Sequence, residues 1–292
     1  MIGFTTLKRV LLASASLGFA AHAAAANLTL DVYNPGTNAI FPVTSVLVSG
    51  EKDAILVDAQ FGKSQAEQVV EKIRASGKHL TTIYISHGDP DYYFGLDTLT
   101  QAFPDAKVLA SQPTVDHINK TVAGKLAFWG PKMGADVPAK TIVPGVLKGD
   151  SLMLEGEKLQ VVGLEGKQPD RSFVWIPSLK AVVGGVVVAE NIHVWMADTQ
   201  TAQSHADWLE ILHSIETLKP NTVVPGHYLG NSSRSLASVK FTADYIKAFD
   251  AETAKAKDSA ALIAAMKKRY PKLGEESSLE LSAKVAKGEM QW

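Results

Sequence analysis

Residues 81–97 read TTIYISHGDPDYYFGLD. The run Thr81–Ser86 is rich in β-branched and aromatic residues and predicts a strand. It ends in His87-x-Asp89-x-Asp91, and Pro90, which has no backbone N–H, keeps that segment from continuing as regular strand. Side chains alternating along such a loop can converge on one cation, and imidazole and carboxylate suit zinc, iron or manganese. The plainer alternative is a turn into a helix, with Asp as its N-cap.

Outward from this stretch, sheet and helix patterns alternate. Leu28–Tyr33, Phe41–Val48 and Ala54–Val57 predict an antiparallel opening meander divided by turn residues. Gln65 to Ala75 has the helical period and stops at Gly77. Helices are expected over Phe94–Phe103, Thr114–Phe128 and Gln203–Leu218. Strands are expected over Lys107–Ala110, Lys158–Leu164, Ser172–Ile176, Ala181–Val188 and Thr222–Val224. Two C-terminal helices, 233–255 and 258–269, close the chain. No repeat or linker interrupts residues 27–292, which predicts one α/β domain with helices outside sheets. Three polar segments follow strand ends, where such folds collect function: Ser86–Tyr93, Glu165–Asp170 and Gly226-His227.

The chain has 292 residues, a formal net charge of −1, 46% hydrophobic residues and no cysteine. The balanced charge argues against a nucleic-acid partner, which calls for a basic face. Without cysteine there is no disulfide, thiolate nucleophile, thiolate zinc site or iron–sulfur cluster. Residues 1–26 combine Lys8 and Arg9, an apolar run from Val10 to Ala21, and small-residue cleavage patterns at 21–23 and 24–26. That is the pattern of a cleaved signal peptide. It implies a periplasmic or secreted protein starting at Asn27, with 27 basic and 30 acidic side chains. No later apolar run is long enough for a membrane span. There is no Gly-x-Ser-x-Gly elbow and no glycine-rich nucleotide loop.

The segment ISHGDPDYYFGLD resembles the His-x-His-x-Asp-His signature of the metallo-β-lactamase superfamily. NAIFPVTSVLVSGEKDAILVDAQF resembles its opening, where an Asp (here Asp58) ends a strand near the site. IPSLKAVVGGVVV resembles the strand pair carrying its bridging Asp, and TVVPGHYLG its terminal Pro-Gly-His. The resemblance implies a four-layer αββα sandwich with a site at one rim. His87 matches the first His, Asp91 the motif's Asp and His227 the last His. Asp89 and Tyr92 stand where the second and third His are expected. After Leu164 no His follows; Glu165, Gln168 and Asp170 are the nearest donors. Gly185 occupies the bridging-Asp position.

From these residues the expected centre is a single divalent metal, zinc first, with manganese or iron as alternatives, and the depleted donor set argues against two metals. His87, Asp89, Asp91, His227 and Glu165 are the candidate ligands. The expected activity is hydrolysis of an ester, lactone, amide or thioester of a small-molecule substrate by metal-bound hydroxide. Asp91 or Asp89 would handle the water's proton, and Tyr92 would supply a proton or hydrogen bond to the substrate. His193 is a candidate substrate contact, and Trp129, Trp195 and Phe128 are candidate cleft or core aromatics. His79, His117, His205 and His213 carry no assigned role. The alternative is a metal-free binding protein that reuses the pocket. Donor geometry separates the two: a common centre for His87, Asp91 and His227 favours the enzyme, whereas Tyr92 or Lys167 filling that centre favours metal-free binding.

Overall fold

The computed structural model describes residues 27–292, together with residue 2. The signal-peptide reading of residues 1–26 therefore lies outside the described residues. One sheet runs in the order β1 (Thr29–Tyr33), β2 (Ser45–Ser49), β3 (Asp53–Val57), β4 (His79–Ile85), β5 (Lys107–Ala110) and β6 (Gly145–Val146). Its first three strands are antiparallel and its last four parallel. The second sheet runs β12 (Thr222–Val223), β10 (Ala181–Val183), β9 (Phe173–Ile176), β8 (Glu157–Val162) and β7 (Ser151–Leu154). A short parallel pair, β11 (Ala189–Glu190) with β13 (His227–Tyr228), extends the rim.

Strand sequences explain the layering. In β3, Ala54 and Leu56 face one core cluster while Ile55 and Val57 face another. Such a strand is apolar on both sides because both of its faces are covered. The first cluster joins the sheet to α1 (Lys63–Ser76), α3 (Leu96–Ala102) and α4 (Gln112–Met133), through residues such as Ile73, Leu99 and Ile118. The middle cluster lies between the sheets, where Val46, Val48 and Tyr84 meet Leu159, Val174 and Ile176. The third packs Phe173, Val182 and Val223 under α5 (Ala202–Thr217), α6 (Leu236–Lys255), α7 (Ser259–Arg269) and α8 (Glu276–Ala286). The result is an αββα sandwich. Each fully buried Leu, Ile or Val in these clusters contributes about 1.5–3 kcal/mol.

Two expectations need correction. The apolar run Ala181–Val188 is strand only to Val183, because Gly184 and Gly185 take φ of 67° and 79°. Left-handed backbone of that kind ends the ladder. The C-terminal region holds three helices, not two; α8 was missed. Among the described residues no helix is long and apolar enough to cross a membrane.

Candidate active site

The strand ends of β3, β4 and β10 are tied together at the rim. Asp58, just past β3, has a left-handed φ of 67°, a conformation a non-glycine residue adopts only where its surroundings hold it. Its Oδ1 accepts the Ser86 N–H at 2.8 Å, and the Ser86 hydroxyl donates to its carboxylate at 2.7 Å. The Gly185 N–H in turn donates to Ser86 Oγ at 2.7 Å. Burial pushes the Asp58 carboxyl up to about 7, against the pull of the Ser86 hydrogen bonds.

That shift predicts a pH effect. A carboxyl whose folded pKa is raised contributes its full stability below the unfolded value of 3.8 and loses it as pH climbs to about 7. The loss is on the order of 4 kcal/mol. Urea unfolding across this window should show Asp58→Asn with a clearly flatter pH slope than the parent. Parallel slopes would contradict the assignment.

Beyond β4, Ser86–Asp89 form a loop and Pro90–Tyr93 a single helical turn, α2. Asp89 occupies the N-cap position of α2 but makes no side-chain cap bond. Its carboxylate faces sideways. Oδ2 lies 3.1 Å from His87 Nε2, and Oδ1 lies 3.2 Å from Lys125 Nζ. Burial opposes its charge, but His87, Lys125 and His117 outweigh that and hold the carboxyl well below the usual range. Burial likewise works against the Lys125 ammonium, which Asp89 and Asp198 overcome, so its pKa is raised. His87 Nδ1 donates to the Asp170 carbonyl at 3.0 Å, fixing the ring. His117, reaching in from α4, lies 3.6 Å from the Asp170 carboxylate. That contact raises His117 and holds Asp170 down at about 2.

The second pair is His227 with Asp91. His227 Nε2 donates to Asp91 Oδ2 at 2.6 Å. Tyr92 Oη lies 3.2 Å from His227 Nδ1 and 3.4 Å from the Gly185 carbonyl. The phenol donates to the Gly185 carbonyl and also contacts the imidazole Nδ1, while the imidazole Nε2 donates to the carboxylate. Burial lifts the Tyr92 pKa well above the phenol range, so its proton stays on. Gly226 makes this packing possible: a Cβ there would lie 2.2 Å from Gly185 O and 2.9 Å from Tyr92 Oη.

The sequence-derived candidates are not brought to one point. The Tyr92 ring stands between the two histidines, with centroids 5.3 Å from His87 and 5.5 Å from His227. Each Nε2 faces its own carboxylate. Glu165 is exposed and borders a separate depression with Asp150 and Gln160, so the expectation that it joins the donors is corrected; of that loop, Asp170 meets His87 through its backbone carbonyl, its carboxylate going to His117. Lys167 is exposed as well. Among the described residues no three His, Asp or Glu side chains surround a common point at metal-ligand spacing. The donor set expected of His87, Asp89, Asp91, His227 and Glu165 therefore does not fit a metal in this arrangement: it is two closed imidazole–carboxylate pairs with an ammonium on one of them.

A cleft of about 640 Å³, counting space open to solvent, lies against these pairs. Asp89, Asp91 and His227 form its polar floor, and Phe41, Trp129, Trp195 and Trp292 its aromatic walls. Tyr92 is fully buried and does not line the cleft, so the expected contact with substrate is corrected: its hydroxyl serves His227. His193 lines the inner wall with Nδ1 3.0 Å from the Tyr245 hydroxyl, and burial holds it down at about 4, hence neutral. Of the other expected aromatics, Trp129 and Trp195 line the cleft, while Phe128 packs behind them against Trp129 and Trp292. Glu275, beside α8, also lines it and is raised by burial. Sequence reasoning missed His117, Lys125, Asp198, Glu275 and Trp292.

A family model, the metallo-beta-lactamase superfamily, matches residues 39–227. That span covers both ends of the site and well over half of the chain. The chain belongs to the metallo-beta-lactamase superfamily. The fold agrees with solved members. A metallo-beta-lactamase from Pontibacter korlensis superposes with a TM-score of 0.55 at 18% identity, covering 75% of this chain and 93% of that one. A metallo-beta-lactamase family protein from Thermus thermophilus gives 0.61 at 15%, covering 88% and 93%. At such identities the likeness concerns the fold. The uncharacterized protein YobT of Bacillus subtilis (strain 168) is 38% identical over 74 residues, a quarter of this chain and 31% of that protein. Superfamily membership supports a hydrolase-like function in general, and its members generally bind divalent metals such as zinc.

Proposed function

We propose that the protein is a hydrolase of a small ester, lactone, amide or thioester, working through its own acid–base groups at the Asp91–His227 end of the cleft. The observation that carries this reading is the Tyr92–His227–Asp91 chain of contacts, which fixes a carboxylate on the floor of an aromatic-walled cleft. Asp91 takes a proton from a water as that water adds to the substrate carbonyl, and returns it to the leaving oxygen, nitrogen or sulfur as the tetrahedral adduct collapses. His227 orients the carboxylate. Lys125, on the same cleft, is the positive charge available to the developing oxyanion. No step uses a metal, because the donor arrangement offers no centre for one.

The second reading is a non-hydrolytic binding protein. It is favoured by the Tyr92 ring standing between His87 and His227, the arrangement expected of metal-free binding, and by both histidines spending their Nε2 on protein carboxylates. A panel of simple aryl esters, lactones and thioesters, assayed with and without EDTA, decides between them. Turnover of at least one class, unchanged by the chelator, is the expected result. No turnover of any class at high protein concentration overturns the hydrolase and leaves the binding protein.

We also propose export to the periplasm or medium, on the leader pattern of residues 1–26. N-terminal sequencing of the protein from its native host should begin at Asn27; an intact Met1 would contradict it.

A further inference from the structure

We propose that the cleft recognises a small ligand carrying a cationic, alkyl-substituted nitrogen. This deepens the hydrolase reading by naming a feature of its substrate, and it rests on that cleft being the working site. The walls form one run of rings. Phe41 packs edge-on to Trp129 at 4.9 Å and to Trp195 at 6.1 Å, and Trp195 meets Trp292 at 5.3 Å. Asp198 fixes two of them: it accepts the indole N–H of Trp195 at 2.6 Å on one oxygen and that of Trp292 at 2.6 Å on the other. Their N–H edges are thereby committed to the protein. One face already holds an ammonium, for Lys125 Nζ sits 4.8 Å from the Trp292 ring centroid.

Charge points the same way. Asp89, Asp91, Asp198 and Glu275 border the cleft, and among the described residues Lys125 is the one lysine or arginine that does. Asp89 engages that ammonium at 3.2 Å, and Asp198 is 3.9 Å from it. An anionic ligand would meet an excess of carboxylates. A neutral apolar ligand would use the rings but gain nothing from the acidic groups around them. An alkylammonium does both: its hydrocarbon surface covers the rings, and its charge meets π faces and carboxylates together. A substrate of this kind is an ester or amide bearing such a nitrogen beyond the scissile carbonyl.

The test compares choline with 3,3-dimethyl-1-butanol, which has the same shape with carbon in place of the charged nitrogen. Calorimetry and tryptophan fluorescence on the mature protein read the affinities. Choline should bind about tenfold more tightly or better. Trp292→Leu and Asp198→Asn should each cost choline about fivefold or more beyond what they cost the alcohol. Two variants guard against one that fails to fold, and circular dichroism checks both. Equal affinities, preference for the alcohol, or no binding of either compound overturns the proposal. Choline binding without turnover of any ester would sink the hydrolase and leave the ligand class standing. Turnover of neutral esters with no preference for the ammonium would do the reverse.

Discussion

Asp91→Asn lowers kcat/KM for the cleaved substrate about a thousandfold, the size expected for loss of a positioned general base. The substitution is nearly isosteric. The amide oxygen of Asn still accepts from His227 Nε2, which lies 2.6 Å from Asp91 Oδ2, so ring orientation survives. What disappears is a group able to carry a proton. The thermal midpoint should move little, because the buried neighbours Tyr92 and Gly226 keep their packing. His227→Asn should cost less, roughly ten- to a hundredfold, because it removes an orienting donor while the base remains. Steady-state kinetics on the substrate found in the panel measure both. Activity of Asp91→Asn within threefold of the parent would remove Asp91 from the chemistry.

Gly185→Asp, which puts a carboxylate back at the bridging position, destabilises the fold instead of building a metal centre. Gly185 has a φ of 79°, a conformation that penalises any Cβ. A Cβ there would lie 2.4 Å from Ser172 O and 3.3 Å from Phe173 Cβ. The first of these is backbone in an adjoining strand region and cannot swing aside. The Gly185 N–H is also committed to Ser86 Oγ, and through it to Asp58. Strain and collision together cost on the order of 3 kcal/mol or more, which lowers the melting temperature by about 10 °C. Calorimetry reads that fall. An unchanged melting temperature together with one newly bound zinc would show that the rim is plastic and that Gly185 alone had emptied the centre.

The sandwich was legible because its strands are short and turn-bounded and because four segments keep superfamily order. The stretch from Thr81 to Asp91 holds both the strand and the loop that carries His87, Asp89 and Asp91. What failed was convergence. Spacing along a loop cannot say which way side chains turn. Here Asp89 and Asp91 turn to different partners, and the Tyr92 ring separates them from a shared centre. Glu165 was suited by its position after a strand, but that loop meets His87 through the Asp170 backbone carbonyl instead. His117 and Lys125 reach the site by tertiary packing of α4. Their spacing, about two helical turns, was a usable signal, since it sets two polar residues on neighbouring parts of one helix surface. Asp198 and Trp292 had no local signal at all, being joined across 94 residues by a single hydrogen bond. The helix α8 escaped notice because its period is carried by small residues such as Ser278, Ser282 and Ala283.

The central claim is that this member of the superfamily keeps the rim and has replaced the metal donors with two closed imidazole–carboxylate pairs. Metal content of the purified protein tests it most directly, measured by mass spectrometry after purification without a chelating tag and after incubation with zinc, manganese or ferrous iron and desalting. Well under a tenth of an equivalent of each, identical in the parent, His87→Ala and Asp91→Ala, is the predicted result. About one equivalent in the parent, lost in both variants, would contradict it and return the site to metal-bound hydroxide chemistry.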